Sequence, residues 1–107
     1  MTGKRLVARR RARRDIQLAV AYYLEEAGPP VARAFLASVE AAYNRIAEAP
    51  RIGSPRFGYE LGFPGLRTKP VDRFPYLVFY VEQVDQVDIV RVLHAQRDIP
   101  RHMEERF

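Results

Sequence analysis

A small group of basic side chains in the last third of the chain could do chemistry together. Arg67 and Lys69 are two residues apart in a strand-like segment, which places both side chains on one face of the strand. His94 and Arg97 follow a later apolar segment, and histidine, with an unperturbed pKa of roughly 6.5, suits proton transfer. With Arg73, these cations could form a basic end of a sheet. Such an end would suit a phosphate group or an acidic protein surface.

Each of these candidates also has a structural interpretation. His94 follows an apolar strand and could bond the backbone of the next loop. Arg97 and Asp98 could form an ion pair or backbone bonds that fix the end of that strand, or they could contact a partner. Arg73, in a turn, could simply be solvated. His94 and His102 are too isolated from carboxylates to indicate a metal site, and nothing in the sequence indicates a cofactor.

The aromatic residues divide into two groups. One group follows the periodic apolar stripes and is expected in the core: Tyr22, Tyr23, Phe35, Tyr43 and Phe79. The other group, Phe57, Tyr59 and Phe63, lies in a segment rich in glycine and proline. Exposed aromatic residues in a loop are candidates for a partner interface. Alternatively, the loop folds back over the helices and buries them.

Composition restricts the class of protein. The chain has 107 residues, the size of one domain, so we expect a single domain over residues 1–107. No stretch approaches the roughly 18–20 apolar residues of a membrane span, so we expect no membrane association. Cysteine is absent, which excludes disulfides and thiolate metal sites. Its absence fits a reducing cytosol, and we expect a cytoplasmic location.

The net charge of +5 is unevenly distributed. Basic residues crowd the start of the chain: Lys4, Arg5, Arg9, Arg10, Arg11, Arg13 and Arg14. A basic domain suggests a polyanionic or acidic partner, and a solvated helix start is the alternative. We do not favour an organelle-targeting peptide, because residues 16–24 continue directly into a helical pattern. No secretory signal is visible either.

The first half of the chain predicts a helical hairpin. Apolar residues recur at helical spacing from about Arg11, and the first helix stops at Gly28, since glycine suits the left-handed residue after a helix. The prolines that follow suit the first turn of a second helix, which ends before Pro50. So short a turn makes the two helices pack antiparallel. Residues 51–65 are predicted to form a loop, and residues 100–107 a terminal helical turn.

The second half predicts three strands. Residues 65–71 form the first, and Pro70 indicates an edge or a bulge. Residues 76–81 are nearly all apolar, so we expect a central strand covered on both faces. Residues 87–93 form the third, and the short connections allow antiparallel hairpins. With Arg5–Ala8 as a short first strand, the order is β-α-α-β-β-β. We therefore expect a two-layer α+β domain with an antiparallel sheet packed against the N-terminal helical hairpin.

Particular residues within this order carry a family resemblance. They are Asp15-Ile16 followed by Tyr22 or Tyr23, then Gly28, Ala32, Phe35, Ile46-Ala47, Pro50, Gly53, Gly65-Leu66-Arg67 and Tyr80, and finally the run from Ile89 to His94 with Arg97-Asp98. Each is weak alone, but their joint order and spacing are specific. The sequence resembles the ParE branch of the RelE/ParE superfamily, the toxins of bacterial type II toxin–antitoxin modules.

The resemblance implies one of two activities. ParE-like toxins inhibit DNA gyrase by stalling it on cleaved DNA, without covalent chemistry of their own. RelE-like toxins are ribosome-dependent endonucleases that cut messenger RNA in the ribosomal A site, and the shared fold cannot separate the two. Members are held inactive by a cognate antitoxin, a small acidic DNA-binding protein, so a hetero-oligomer is expected. A groove beside the helical hairpin or a free edge strand could accept the antitoxin.

The ribonuclease alternative requires a set of groups that can be tested residue by residue. Cleavage at a 2′-hydroxyl needs a proton acceptor, positive charge near the phosphate and a proton donor for the leaving oxygen. Against the RelE pattern, Arg67 and Lys69 match basic positions on the first sheet strand, and Arg97 matches one after the last. A ribonuclease would use these three residues together with His94.

The fit to the RelE pattern fails at two positions. Tyr76 stands where an arginine is expected, and Met103, whose thioether has no proton to exchange, stands where a terminal aromatic residue is expected. We therefore favour a gyrase inhibitor over an enzyme, with a degenerate toxin that only binds a partner as a third alternative. The residues expected to bind partners are Arg67, Lys69, Arg73, Arg97, Tyr59 and Phe63.

Overall fold

Helices and strands are described for residues 3–99 in a computed structural model of the chain. In chain order they are β1 (Arg5–Ala8), α1 (Arg10–Ala27), α2 (Pro29–Glu48), a 3-10 helix (Pro50–Ile52), α3 (Arg56–Leu61), β2 (Leu66–Pro70), β3 (Tyr76–Glu82) and β4 (Gln86–His94). The helical turn predicted at residues 100–107, with His102 and Met103, lies outside the described residues. Within residues 3–99, no helix is long and apolar enough to cross a membrane.

The strands form one mixed sheet in the order β1-β4-β3-β2. The antiparallel pairings of β2 with β3 and of β3 with β4 confirm the predicted hairpins. β1 instead lies parallel to β4, with Arg5 opposite Gln86 and Ala8 opposite Ile89. Parallel pairing needs a long connection, which α1 and α2 provide. The α+β class and the helical layer are therefore as predicted, whereas β1 makes the sheet mixed rather than wholly antiparallel.

The turn between α1 and α2 follows the predicted chemistry. Gly28 has a φ of 90°, a conformation that glycine adopts without steric cost. Its N–H donates to the carbonyl oxygens of Tyr23 and Leu24, which closes the end of α1. Pro29 then starts α2, where a missing N–H is harmless. The two helices consequently fold back on each other and cover one face of the sheet.

Both faces of the sheet are covered, and β3 is central, as its apolar sequence predicts. Val78, Phe79 and Tyr80 are fully buried. On the helical face, Val78 and Tyr80 pack with α1 and α2. On the opposite face, Phe79 packs against a smaller cluster that includes residues of the 51–65 segment.

The 51–65 segment was predicted to be a loop, and this prediction was wrong in part because the segment contains regular helical structure. It includes most of the 3-10 helix and all of α3. Phe57 and Leu61 are four residues apart, so they share one face of α3, and both pack against the sheet. A helix of six residues is too short to produce a detectable apolar period, and the flanking glycines and prolines mask it.

The outer edge of β2 is hydrogen-bonded to the segment of the chain that precedes this strand. Pro70 lacks an N–H and lies on this edge strand, as predicted. Thr68 exchanges two backbone hydrogen bonds with Ser54, each of 2.9 Å, and the Leu66 N–H donates to the Phe63 carbonyl at 3.2 Å. These bonds use the groups that another strand would need.

A buried ion pair joins α1 to β4. The Arg91 guanidinium donates two hydrogen bonds to the Asp15 carboxylate, of 2.8 and 2.9 Å, and the side chains are only 7% and 11% exposed. The same carboxylate accepts the Val92 N–H at 3.0 Å. β1 has already ended at Ala8, opposite Ile89, so Asp15 takes the place of a neighbouring strand at this point of β4.

Tyr80 fixes the segment after α2 to the sheet. Its hydroxyl donates to the Pro50 carbonyl at 2.7 Å and accepts the Gly53 N–H at 2.8 Å. A Cβ atom at Gly53 would lie 2.5 Å from this hydroxyl and 2.7 Å from the Thr68 carbonyl oxygen. Glycine is therefore required by the close approach of these groups.

We expect Asp15→Ala to lower the free energy of unfolding by about 3–5 kcal/mol, because it leaves the buried Arg91 charge without its carboxylate. Urea denaturation measures the change. Glu60→Ala is the matched control, since it removes a carboxylate from the exposed Arg56–Glu60 pair and should cost less than about 1 kcal/mol. Equal losses in the two variants would contradict the importance of the buried pair.

The hydroxyl groups of Tyr80 and Tyr43 provide a second test. Tyr80→Phe should cost about 1–3 kcal/mol, because two buried backbone groups lose their partner. The Tyr43 hydroxyl is also buried, but it has no hydrogen-bond partner within residues 3–99. Burial and, to a smaller extent, the negative charge of Asp15 raise the pKa of Tyr43 to about 12. Tyr43→Phe should therefore be neutral or stabilising. Thermal unfolding compares the variants, and a Tyr43→Phe loss as large as that of Tyr80→Phe would refute the assignment.

Candidate functional site

The predicted basic residues lie in separate surroundings rather than in one cluster. Arg67 is half-buried on β2, and its Nη1 donates to the carbonyl oxygens of Gly53 at 2.7 Å and Arg51 at 3.3 Å. Lys69 is on the same face of β2, as predicted, and lines a small concavity against α2 that Ser38 and Arg45 also line. The Arg67 guanidinium therefore holds the segment after α2, and its bonds are those of a structural group.

Arg97 occupies a different position, at the end of the sheet beside α1. Its Nη2 donates to the Tyr76 hydroxyl at 3.2 Å, and its Nε lies 3.3 Å from an Asp98 carboxylate oxygen. The guanidinium carbon also lies 5.7 Å from the centre of the Tyr22 ring, within the range of a cation–π contact. Half of the side chain remains exposed. Arg97 is thus oriented by its neighbours and open to a partner.

An aromatic cluster holds Tyr76 beneath this arginine. The rings of Tyr23 and Phe35 contact it, with ring centres 6.3 and 5.1 Å from that of Tyr76, and Phe74 packs against both of these rings. Edge-to-face contacts of this kind fix ring orientation. Burial raises the pKa of Tyr76, so its hydroxyl stays protonated at neutral pH. The expected arginine position of the ribonuclease pattern is therefore filled by a buried phenol that positions Arg97.

His94 bonds the loop backbone, as its structural interpretation predicts. Its Nδ1 accepts the N–H groups of Gln96 at 3.2 Å and Arg97 at 3.1 Å. Burial, and then the Arg97 charge, lower the pKa of His94 below its usual value of 6.5. The imidazole is consequently neutral at pH 7, with its proton on Nε2 and its basic nitrogen already occupied. The Asp98 carboxylate accepts a hydrogen bond from the backbone N–H of His94 at 3.0 Å, which fixes the end of β4.

Arg73 lies exposed in the turn between β2 and β3. Its φ is 72°, in the left-handed region that is unfavourable for a residue with a Cβ atom. The turn is joined to the loop that follows β4 by a bond from the Ala95 N–H to the Pro75 carbonyl at 2.8 Å. Arg73 and Arg97 thus flank the same end of the sheet.

Tyr22 was expected in the core, and the structure contradicts that expectation. It is 48% exposed, and its neighbour Tyr23 is packed against the core. Successive residues of a helix point about 100° apart, so both tyrosines cannot face inward. Tyr22 is four residues from Leu18, which is 58% exposed. This off-stripe spacing is the sequence signal that could have separated Tyr22 from the core residues.

The aromatic residues of the 51–65 segment differ in how deeply their side chains are buried. Tyr59 is 82% exposed on α3 and lines a cavity of about 410 Å³ together with Phe63 and Arg67. Phe63 and Phe57 are partly buried and pack against the face of the sheet opposite the helical hairpin. The segment therefore does fold back, but it covers the sheet and not the helices. Tyr59 stays available to a partner.

Much of the basic start of the chain is used to hold β1 in place. Hydrogen bonds run from Lys4 to Glu82 (2.9 Å), from Arg5 to Gln86 (2.6 Å), from Arg9 to Asp88 (2.7 Å) and from Arg13 to the Ala8 carbonyl (2.7 Å). The bonds from Lys4 and Arg9 lower the pKa values of Glu82 and Asp88 respectively. The solvated-helix alternative is therefore incomplete, because these cations attach the first strand to the sheet.

The sheet end can bind an anion but is poorly arranged for proton transfer. Arg97 is a permanent cation, Tyr76 keeps its proton, and the basic nitrogen of His94 is occupied. Among residues 3–99, no three His, Cys, Asp or Glu side chains are grouped so that they could hold a metal ion. The geometry thus favours recognition of a carboxylate or phosphate over bond cleavage.

Comparison with known proteins agrees with this architecture. Residues 6–99 match the family model described as the ParE toxin of the type II toxin–antitoxin system parDE. The structure matches a chain of the chromosomal ParDE TA system from P. aeruginosa with a TM-score of 0.75 and 19% sequence identity, over 87% of this chain and 97% of that one. This similarity shows a shared fold. A search of curated proteins finds no match. Because the family model covers most of the sequence, the chain belongs to the ParE toxin family of type II toxin–antitoxin systems.

Proposed function

We propose that this toxin inhibits DNA gyrase by binding it, without covalent chemistry of its own, and that a cognate antitoxin neutralises it in the cytoplasm. The observation that carries the proposal is the state of Tyr76. It occupies the position of an expected ribonuclease arginine, is buried, and uses its hydroxyl to orient Arg97. A ribonuclease site built around these residues would lack that cation.

Two other residues of the ribonuclease set, Arg67 and His94, support the same conclusion. The Arg67 guanidinium donates through Nη1 to the backbone carbonyl oxygens of Arg51 and Gly53, so this cation serves the fold. His94 is neutral at pH 7, and its Nδ1 accepts two N–H groups. A general base must be free to reach the proton that it removes. Binding to an acidic or phosphate-bearing partner needs only the exposed positive charge.

The antitoxin is proposed to lie along the helical hairpin. The β2 edge offers little to an added strand, because Ser54 and Phe63 occupy its backbone groups. The α1–α2 face, in contrast, carries an open apolar groove of about 560 Å³, lined by Ile16, Leu36 and Tyr43 among others. Such a groove suits the apolar face of an amphipathic helix.

A supercoiling assay tests the proposed target. Purified toxin should prevent DNA gyrase from supercoiling relaxed plasmid in a concentration-dependent manner, because bound toxin stalls the enzyme. Lys69→Ala should inhibit within about twofold of the parent protein, because Lys69 lines a small concavity against α2 together with Ser38 and Arg45 and does not adjoin Arg97. Failure of well-folded toxin to inhibit at any ratio to gyrase would refute the proposal.

Primer extension on ribosome-bound messenger RNA distinguishes the ribonuclease alternative. The gyrase proposal predicts no toxin-dependent cuts in the ribosomal A site. Discrete cuts that disappear in Lys69→Ala would establish the ribonuclease instead. A chain that neither inhibits gyrase nor cuts RNA, yet binds its antitoxin tightly, would be the degenerate toxin.

A further inference from the structure

We infer that the toxin contacts gyrase through the end of the sheet beside α1, on a gyrase surface that presents carboxylates around an apolar side chain. This sheet-end surface consists of Leu18, Tyr22, Arg73 and Arg97. The inference rests on the proposed function and adds to it the contact surface and the chemistry of the surface that it fits.

Arg97 is the cation that the structure best prepares for a partner. The Tyr76 hydroxyl and the Tyr22 ring hold its guanidinium from two sides, at 3.2 Å and 5.7 Å, while half of the side chain is exposed. Holding a long side chain in place before binding reduces the conformational entropy that association removes. Within the chain, Arg97 forms an ion pair with the adjacent Asp98, and part of the guanidinium stays exposed to solvent.

Apolar side chains adjoin this cation. Leu18 and Tyr22 lie one helical turn apart on α1 and are 58% and 48% exposed. Between α1 and the end of β4 is a cavity of about 130 Å³, whose lining includes Leu18, Ala19 and Arg97 and the acidic residues Asp15 and Asp98. Tyrosine and arginine are among the residue types that contribute most binding energy at the centre of protein interfaces. An apolar side chain of the partner would enter this cavity beside Leu18.

Arg73 is the second exposed cation of this surface, and its backbone conformation is energetically unfavourable. Its φ of 72° is unfavourable for arginine, and glycine would occupy the same turn without that strain. Phe74, the next residue, is packed against Tyr23 and Phe35, so the turn is held in this conformation from below. Strain retained in an exposed turn points to a use for the side chain.

Several other cations of the sheet are committed to contacts within the chain. Arg9 is bonded to Asp88, Arg67 to backbone carbonyl oxygens and Arg91 to Asp15. Arg73 and Arg97 carry positive charge at this end of the sheet, where the neighbouring acids are the exposed Asp72 and Asp98, which is paired with Arg97. Positive charge beside exposed apolar side chains is complementary to an acidic protein surface that has an apolar centre.

Leu18→Glu tests the surface against a matched control. The substitution places a like charge where carboxylates of gyrase are expected, so the toxin concentration for half-inhibition of supercoiling should rise at least about tenfold. Leu24→Glu makes the same change on the same helix at a residue of similar exposure, 49%, which lies on a different side of α1 from Leu18 and Tyr22 because successive helical residues are about 100° apart. It should leave that concentration within about twofold.

Arg73→Gly separates binding from folding. The thermal unfolding midpoint should be at least that of the parent protein, because glycine adopts a positive φ without strain. The concentration for half-inhibition should nevertheless rise several-fold. A loss of inhibition in a variant that is no less stable cannot be attributed to misfolding.

The outcomes separate this inference from the function on which it rests. Weakened inhibition by Leu18→Glu and Arg73→Gly, with normal inhibition by Leu24→Glu, would support the sheet-end surface. Inhibition at parental strength by Leu18→Glu and Arg73→Gly would overturn the surface while gyrase inhibition stands, as would equal weakening by Leu18→Glu and Leu24→Glu. If the parent toxin does not inhibit gyrase, the function and the surface fall together.

Discussion

The buried pair between Asp15 and Arg91 is the interaction on which the rest of the structure depends. β4 has β1 beside it only as far as Ile89, and α1 takes over from there. Asp15 accepts hydrogen bonds from the Nε and Nη2 of Arg91 and from the Val92 N–H, so a single carboxylate pairs with a buried cation and with a strand N–H that no neighbouring strand reaches. This bonding fixes the position of α1 over the sheet.

The placement of α1 determines the surface at the end of the sheet. Once Asp15 is docked, Leu18 and Tyr22 follow on the next two turns beside the end of β4. Tyr23 enters the aromatic cluster that holds Tyr76, and Tyr76 in turn orients Arg97. A chain of contacts thus links the buried ion pair to an exposed cation.

The sequence predicted the elements whose signals are local. Gly28 and the prolines after it located the helical turn, and the apolar run of β3 predicted a central strand. The parallel pairing of β1 could not be predicted, because it depends on a partner about eighty positions away in the chain. α3 was missed since six residues give too little periodicity. The family resemblance covered nearly the whole of residues 6–99.

The candidate site was harder to predict than the fold, because side-chain partners depend on tertiary contacts. Arg67 and Lys69 share a face of β2, as their spacing predicts, yet Arg67 bonds the carbonyl oxygens of a distant segment. Arg97 matched a ribonuclease position, but the sequence gives no sign that Tyr76 and Tyr22 would hold it. A pattern identifies which residues carry charge. Packing decides which of those charges stay available to a partner.

Gyrase-dependent DNA cleavage tests the central claim most directly. Toxin, DNA gyrase, ATP and supercoiled plasmid would be incubated together, and any trapped complex would be released with detergent and protease before electrophoresis. The binding mechanism predicts linear DNA that increases with toxin concentration and is absent when gyrase is omitted. Linear or nicked DNA in the absence of gyrase, or no linear DNA at toxin concentrations far above that of the enzyme, would contradict it.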